Sequence, residues 1–331
     1  MISLVTGANG FLGSMLCRKL TASGQEVRGL VRATSDLSLL EGVPIQKVIG
    51  TLNDFASLQA AMQGVQCIYH TAAAVTDWGS LEYFREVNVE GTRRLLDAAA
   101  ACGRPRFVYI STVAVHSFID SREMDETSPQ NQTEFPYCIT KREAEALVMD
   151  YHQRGLVDAV IVRPGDIYGP GDRVVLQRLG KMLKRGWSAL IDGGEKLGAF
   201  AYVENLADGI LLAGTLPQAS GRAYVLTDGV PMSWKAFFSR LNDALGFPQI
   251  SISVPSGVAF AVARVLEWIY RAFRLRSRPP ISRYLVTHLS NDFFFRIDRA
   301  RNELGYDPKI GVDEAMRRTA DWYLKVAAKG R

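Results

Sequence analysis

A glycine-rich turn directly after the first apolar run is the feature that most constrains how this chain folds. The chain opens with MISLVT and continues with GANGFLG, which places glycines at positions 7, 10 and 13. Glycines at this spacing allow a tight turn, a close approach of the backbone to a pyrophosphate, and close packing of the next helix on the strand. The helix N-terminus then presents its amide groups to the phosphates. The pattern predicts a dinucleotide-binding unit of strand, turn and helix.

The first half of the sequence alternates short apolar runs with helical patterns. Strands are predicted at about 1–6, 26–32, 45–50, 66–71, 106–111 and 157–163. Helices are predicted between them at about 11–23, 55–63, 80–102 and 136–153. Such alternation is typical of a parallel sheet covered on both faces. With right-handed crossovers it predicts an α/β fold with a doubly wound, Rossmann-type sheet.

The strand and helix rhythm ends after Pro164. Helices are predicted in the second half near 173–186, 204–214, 233–245, 257–274 and 312–328. A chain of 331 residues exceeds the roughly 100–200 residues of one domain. We therefore expect a dinucleotide-binding domain over 1–165 and a smaller α/β substrate lobe over 166–331. Strands or helices of the second range can return to the first domain.

The charge of the chain is concentrated in one segment. The net charge is +5, and residues 264–283 hold six arginines against Glu267, which is also +5. The rest of the chain is therefore neutral, which argues against a nucleic-acid-binding surface. The four cysteines and four histidines show no metal-site spacing, so no metal is predicted. Free cysteines suit a reducing cytoplasm.

The end of the second predicted strand bears on cofactor choice. In sites that prefer NAD, an acidic side chain about 20 residues after the glycine turn binds the ribose 2′-hydroxyl. Here the sequence RGLVRAT has no acid until Asp36, and Arg32 stands at the strand end. An arginine can pair with a 2′-phosphate instead. We expect NADP, with NAD as the alternative; a solvated strand-end charge is the plainer interpretation of Arg32.

A tyrosine and a lysine lie one turn apart at the start of the fourth predicted helix. In YCITK, the spacing places Tyr137 and Lys141 on one face. A phenol with a pKa near 10 is a poor acid–base group at neutral pH unless a cation favours its phenolate, and Lys141 can be that cation. The strand over 106–111 ends at Ser111 and Thr112, and either hydroxyl can hydrogen-bond a substrate oxygen at that sheet edge. The plainer alternatives are that Tyr137 and Lys141 are an ordinary surface pair, and that the strand-end hydroxyl only caps local backbone.

Together these motifs resemble those of the extended short-chain dehydrogenases/reductases, the NAD-dependent epimerase/dehydratase superfamily. The resemblance rests on TGANGFLG, VNVEGTRRLLDAA, ISTVAV, YCITK and VRPGDIYGPGD, and it continues through FAYVENLADGILLA to the C-terminal part. The segment 255–283 and the ending are most similar to the 3β-hydroxysteroid dehydrogenase and sterol 4-carboxylate 3-dehydrogenase branch.

The resemblance implies roles for individual residues. Tyr137 is the expected catalytic acid–base, Lys141 anchors the nicotinamide ribose and tunes the tyrosine, and Thr112 is favoured over Ser111 as the active-site hydroxyl. Asn88 supports the active-site backbone. The expected cofactor contacts are Gly7, Asn9, Gly10, Phe11, Leu12, Gly13, Arg32, Leu52, Ala72, Ala73, Ala74, Asn88, Tyr137, Lys141, Pro164 and Ile167.

The resemblance also implies an activity. We expect an NAD(P)-dependent oxidoreductase that moves a hydride between nicotinamide and a secondary alcohol or ketone of a hydrophobic substrate, a 3β-hydroxysteroid or sterol. The alternatives are a sugar-nucleotide epimerase or dehydratase, a dihydroflavonol-type ketone reductase, and a non-catalytic cofactor-sensing or scaffold protein. A homodimer through the helices 80–102 and 136–153 is expected by resemblance.

The cationic segment has three interpretations. Helix 257–274 carries one apolar stripe, Val258, Val262, Val265, Ile269 and Phe273, with most charges elsewhere. It is either a lid packed on its own domain, a basic amphipathic helix at a membrane interface, or a source of arginines for a nucleotide-sugar pyrophosphate. Large aromatics could line an apolar pocket or belong to the core: Trp78, Phe118, Trp187 and Trp268.

Overall fold

The computed structural model describes residues 1–173, 176–275 and 277–329. A seven-stranded sheet forms its centre, and every neighbouring pair of strands is parallel. The order from edge to edge is β12 (Ala223–Leu226), β7 (Asp158–Pro164), β5 (Arg106–Ile110), β4 (Cys67–His70), β1 (Ile2–Thr6), β2 (Glu26–Val31) and β3 (Gln46–Ile49). The chain moves outward in opposite directions from β1, so a crevice opens between β1 and β4.

Helices cover the sheet and build a second lobe. They are α1 (Phe11–Ala22), α2 (Phe55–Met62), α3 (Leu81–Arg85), α4 (Gly91–Ala100), α5 (Pro136–Gln153), α6 (Leu176–Lys184), α7 (Val203–Thr215), α8 (Trp234–Leu245), α9 (Ser256–Ala272), α10 (Arg283–Ser290), α11 (Asp298–Leu304) and α12 (Val312–Lys329). Within the described ranges, every helix is too short or too polar to cross a lipid bilayer.

Short strand pairs complete the structure. They are β6 (Ser121–Met124) with β15 (Phe293–Phe295), β8 (Asp166–Tyr168) with β11 (Phe200–Tyr202), β9 (Ala189–Ile191) with β14 (Ile252–Val254), and β10 (Leu197–Gly198) with β13 (Met232–Ser233).

The sheet is buried on both faces because its strands are apolar at successive positions. Leu4, Ile68 and Phe107 pack with α2, α4 and α5 on one face. Alternate strand residues point to the other face. There Val5, Tyr69 and Val108 pack with α1 and α7. The doubly wound, Rossmann-type α/β fold predicted from the sequence is confirmed.

Parts of the second half of the chain belong to the central sheet. Strand β12 pairs with β7 as the seventh strand, and α7 packs beside α1. A separate apolar cluster joins α6, α8 and α12. This cluster is the core of the smaller lobe, while the division at residue 165 stays an expectation.

A lid helix packed on its own domain would bury its apolar stripe, but the apolar stripe of α9 faces solvent. Val258, Val262 and Val265 are exposed, whereas the buried face is formed by Ala259, Ala263 and Glu267. The small alanines let α9 approach Ile191 and Val286 closely. Two tryptophans considered for a pocket or core, Trp187 and Trp268, are 70% and 65% exposed.

A buried ion pair joins α5 to the sheet. On β7, Arg163 donates through Nε and Nη2 to the Glu145 carboxylate on α5, at 2.9 and 2.7 Å. Both side chains are less than a tenth exposed. Since a buried charge is costly without its partner, this pair fixes α5 against β7 only while both members are present.

We expect Glu145→Ala to lower the free energy of unfolding by about 3–5 kcal/mol, because it leaves the Arg163 guanidinium buried without a carboxylate. Glu143→Ala is the matched control on the same helix, because Glu143 pairs with Arg85 at the surface. The control should cost less than about 1 kcal/mol. Urea denaturation measures both, and equal effects would contradict this account of α5.

Candidate active site

The positions predicted to contact a dinucleotide gather at one edge of the sheet. The glycine turn follows β1, Arg32 follows β2, Leu52 follows β3 and Ala72–Ala74 follow β4. Thr112 follows β5, while Pro164 ends β7. All six strands are parallel, so these positions lie along the carboxyl edge, where ligands of such sheets bind.

The glycine turn has a shape that larger residues could not adopt. Gly7 has φ +65°, and its carbonyl accepts from the Gly10 amide at 2.8 Å. A Cβ on Gly13 would lie 2.2 Å from the Gly7 oxygen, and one on Gly7 would lie 3.0 Å from the Ala72 backbone. Gly10 caps α1 without a side-chain hydrogen bond to its first amides. The turn therefore fits a pyrophosphate at the start of α1.

Other residues of the turn have separate environments. The Asn9 amide donates to the Asp36 carbonyl at 3.3 Å. Leu12 is buried in the core, so only its backbone faces the turn. Phe11 packs partly on that core and faces Gly171, a residue of the second half of the chain.

Arg32 is exposed where β2 ends. The loop that follows it holds Asp36, which pairs with Arg173. The pair joins a loop of the second half of the chain to the loop after β2. Because Asp36 and Arg173 are distant in sequence, no local pattern could have predicted their contact.

Asn88 holds the segment after β4 against α5. Its side-chain oxygen accepts from the Ala74 amide at 2.8 Å, and its nitrogen donates to the Ala74 carbonyl and the Thr140 hydroxyl at 3.3 and 3.2 Å. Asn88 lies in a π-helical turn, Glu86–Glu90, between α3 and α4. The wider turn is an irregularity that often marks functional sites.

The neighbouring positions show mixed burial. Ala72 and Ala73 are half-buried beside the crevice, and Ala74 is buried. Leu52 packs against Gly91 at the start of α4, where a Cβ would approach to 3.0 Å.

The structure brings Thr112 and Tyr137 together. The Thr112 hydroxyl accepts from the Ala114 amide at 3.1 Å, and it lies near enough to the Tyr137 phenol to lower the pKa of that phenol. Pro136 begins α5, which suits the first turn of a helix and places Tyr137 in that turn. The Ser111 hydroxyl is buried, and within the described residues it has no hydrogen-bond partner. Of the two hydroxyls considered, Thr112 is the one that acts on the pKa of the phenol.

Lys141 is buried against strand β5. Its ammonium donates to the Ile110 carbonyl at 2.7 Å and to the Tyr109 hydroxyl at 3.3 Å. It also lies 4.7 Å from the centre of the Tyr109 ring. Burial lowers the pKa of Lys141 to about 7, while the Glu145 carboxylate acts in the opposite direction.

The expected lowering of the Tyr137 pKa is not what the structure shows. Burial raises the pKa of Tyr137 above its ordinary value, and only the hydrogen bond from Thr112 opposes this. The Lys141 ammonium is directed toward Ile110 and Tyr109 rather than toward the phenol. Desolvation of the phenolate therefore outweighs the cation one turn away.

The segment after β7 closes the crevice on its far side. Pro164 is buried at the strand end, and Ile167 is half-buried against the core. Gly165 between them lies so close to Ala199 that a Cβ would be 1.8 Å from its carbonyl oxygen. The Asp166 carboxylate lies 3.2 Å from Nε2 of His288 on α10, and this contact joins the segment to the smaller lobe.

Aromatic rings line the region beside Tyr137. The Tyr284 ring on α10 lies 6.4 Å from the Tyr137 ring and 5.3 and 4.9 Å from the rings of Phe135 and Phe118. Phe118 also stacks on His288 at 4.6 Å. Of the aromatics considered for a pocket, Phe118 belongs to this cluster.

A cavity of about 160 Å³ adjoins the aromatic cluster. Its lining includes Trp78, Phe135, Glu267, Arg271 and Tyr284. A cavity of this size is smaller than the roughly 300–1,000 Å³ of typical ligand pockets. Helices α9 and α10 form part of its wall.

Sequence reasoning missed two groups that support the site. Tyr109, which holds Lys141, lies inside a strand and carries no motif. Glu145 lies four residues after Lys141, so its position on the same helix face was a usable signal. Its partner Arg163 was recognisable only from the fold.

Comparison with known proteins places this site in a family. A family model described as the NAD dependent epimerase/dehydratase family matches residues 3–227, well over half of the chain. The 2-alkyl-3-oxoalkanoate reductase of Stenotrophomonas maltophilia is 31% identical over 324 residues, covering 95% of this chain and 97% of its own. The 3-beta-hydroxysteroid dehydrogenase of Mycolicibacterium neoaurum is 30% identical over 339 residues, covering 97% and 90%.

A solved structure agrees with the sequence relatives. The dTDP-glucose 4,6-dehydratase DesIV from Streptomyces venezuelae, with NAD and TYD bound, has a TM-score of 0.79 and 25% identity, covering 99% of this chain and 98% of that one. This fold, which carries the glycine turn, the crevice and the cluster of Thr112, Tyr137 and Lys141, is thus shared with a dinucleotide-bound enzyme. The chain therefore belongs to the NAD-dependent epimerase/dehydratase family of extended short-chain dehydrogenases/reductases, and it is an NAD(P)-dependent oxidoreductase.

Proposed function

We propose that this protein reduces a ketone on a bulky hydrophobic molecule to the secondary alcohol, with NADPH as the preferred reductant. The observation that carries the proposal is the gathering of the Tyr137 phenol, the Thr112 hydroxyl and the buried Lys141 ammonium at one edge of the sheet, beside a wall of aromatic rings. At neutral pH the phenol is protonated, so it holds the proton that a ketone oxygen must receive. Burial makes it a weaker acid, and the Lys141 ammonium one turn away is the group that can stabilise the phenolate left behind. The reverse reaction, alcohol oxidation, needs the phenolate and so requires a higher pH.

The residues of the chain divide the work of proton transfer. Tyr137 donates its phenolic proton to the carbonyl oxygen, and Thr112 holds that oxygen in place by a hydrogen bond. The Lys141 ammonium, fixed by Ile110, favours the phenolate left behind and binds the nicotinamide ribose. Asn88 is a positioning residue, because it acts through Ala74 and Thr140.

The glycine turn and the crevice fit a nicotinamide dinucleotide. When bound, the nicotinamide supplies the hydride that reduces the carbonyl carbon. Gly7, Gly10 and Gly13 leave room for its pyrophosphate. Arg32, exposed where β2 ends, offers a charge to a 2′-phosphate, which supports NADPH over NADH.

The substrate class follows from the aromatic cluster and from two relatives. Phe118, Phe135 and Tyr284 form an apolar wall beside Tyr137. One relative is named for a 2-alkyl-3-oxoalkanoate and another for a 3β-hydroxysteroid, and both names denote molecules with an oxygen on an apolar carbon skeleton. We propose these two classes, a branched 3-oxo acid and a 3-oxosteroid or sterol, as the substrates to test first. Because the cavity is small, we expect α9 and α10, which form part of its wall, to shift when such a substrate binds.

Sugar nucleotides fit the site less well. Two arginines line the cavity, but Arg283 is held by Glu267 and Glu134, at 2.9 and 2.7 Å. Arg271 is held by the same Glu267 at 3.4 Å. An arginine already paired with a carboxylate is a poor partner for a pyrophosphate, so these contacts support an apolar substrate.

We expect Tyr137→Phe to lower kcat for ketone reduction by about 10²- to 10⁴-fold, because the proton donor is lost. Binding of NADPH, followed by its fluorescence, should change little. Tyr83→Phe, on the exposed face of α3, is the matched control and should keep full activity. Substantial turnover by the Tyr137 variant on every ketone tested would remove the proposed role.

The pH dependence should report on Lys141. Because burial lowers its pKa to about 7, the ammonium loses its proton as the pH rises through that value, while Tyr137 stays protonated. We therefore expect kcat/KM for NADPH to fall above about pH 7. Lys141→Arg keeps its charge at all these pH values, so its lower activity should lack this decline. A wild-type profile of kcat/KM that stays flat over roughly pH 6 to 9 would contradict the assignment of this pKa to Lys141.

Arg32→Asp should change the cofactor preference. Since a charge-assisted hydrogen bond contributes roughly 1.5–3 kcal/mol, the ratio of kcat/KM for NADPH to that for NADH should fall about 10- to 100-fold. Lys47→Asp, an exposed lysine on the neighbouring strand β3, is the matched control and should leave the ratio unchanged. An unaltered ratio in the Arg32 variant would show that Arg32 is only a solvated charge.

A further inference from the structure

Helix α9 presents an apolar face to solvent. Val258, Val262, Val265 and Trp268 are 55, 48, 57 and 65% exposed. Their spacing of three and four residues places them on one side of the helix. The turn after the helix extends this side with Phe273 and Leu275, which are 71 and 43% exposed. We call these six residues the α9 face.

Unpaired cations flank the α9 face. Arg264 and Arg274 are exposed, and neither makes an ion pair within the described part of the chain. By contrast, Arg278 and Arg283 are held by Asp77, Glu134 and Glu267. The segment 264–283 carries a charge of +5, and the remainder of the chain is neutral. Exposed apolar residues and unpaired arginines therefore occur together on one side of the molecule.

We propose that the α9 face docks on the surface of an anionic lipid bilayer, with α9 lying in the interface. A helix with Trp and Val on one side and arginines at its border has the pattern of interfacial helices. Tryptophan is favoured at the level of the headgroups, and each arginine near the surface is attracted by anionic lipid. The unpaired charges of Arg264 and Arg274 are thus complementary to an anionic membrane surface.

A second copy of the chain fits the α9 face less well. A symmetric dimer would place this face against itself. The arginines that border the face in the two copies would then be gathered at one interface, and like charges would repel. An anionic surface removes that repulsion, which is why we commit to lipid as the occupant.

The buried side of α9 connects this face with the active site. Glu267 is 5% exposed and accepts from the backbone and side chain of Arg283 at the start of α10. The next residue, Tyr284, lies beside Tyr137. Docking would therefore place the lipid surface next to the wall of the cavity, where an apolar substrate could enter. This consequence rests on the proposed function, whereas the docking itself does not depend on the substrate.

Vesicle flotation of the full chain tests the proposal. The wild type should float with vesicles of phosphatidylcholine containing about one-third phosphatidylglycerol, and it should be released at roughly 0.5 M salt. The double variant Val265→Glu/Trp268→Glu should bind at least about tenfold less, because charge on the apolar face prevents insertion. Both positions are exposed, so the variant should keep its unfolding midpoint and its turnover of a small soluble ketone. Leu324→Glu on α12, 43% exposed, is the matched control and should float like the wild type.

Several outcomes would overturn the proposal. Wild-type protein that stays unbound with anionic vesicles rules out lipid as the occupant. A double variant that floats normally shows that another surface makes the contact. If the double variant instead converts a dimer into a monomer on size exclusion, the face is an interface between copies. Wild-type protein that floats normally but reduces no ketone would contradict the proposed function, while the docking of the α9 face would stand.

Discussion

The hydrogen bond from Lys141 to the Ile110 carbonyl is the contact on which the active site most depends. At 2.7 Å it ties the first turns of α5 to the end of β5. Thr112 lies two residues beyond Ile110, and Tyr137 lies one turn before Lys141, so this contact brings hydroxyl and phenol together. Asn88 adds a second tie from the π-helical turn to Thr140. Glu145 and Arg163 fix the next turn of the helix against β7.

Much of the fold could be predicted because its determinants are local. The glycines at 7, 10 and 13 and the apolar runs of β1 to β5 and of β7 each follow from short patterns. Strand β12 was missed because its run AYVL is only four residues long and stands far from the other strands. The direction in which α9 packs was also open, because an apolar stripe does not reveal whether it faces a core or solvent. Only the contacts of Ala259 and Ala263 with their neighbours decide this.

The site was predictable in its chemistry but not in its energetics. Spacing placed Tyr137, Lys141 and Thr112 in one region, yet it carried no information on burial. Burial raises the pKa of the phenol and lowers that of the ammonium, so the two groups differ from what their proximity alone implies. The pair of Asp36 with Arg173 joins distant parts of the sequence and needed the fold. Tyr109, which holds Lys141, and Arg163, which pairs with Glu145, became recognisable only as neighbours in space.

The most direct measurement is the fate of the hydride in one turnover. The enzyme is mixed with NADPH carrying deuterium at the transferred position and with a bulky ketone, and both products are followed by mass spectrometry. Ketone reduction by this enzyme predicts an alcohol with one deuterium on the carbinol carbon, formed together with an equal amount of NADP. An isomerised product formed without net oxidation of NADPH would contradict it, since the protein would then return the hydride to its substrate.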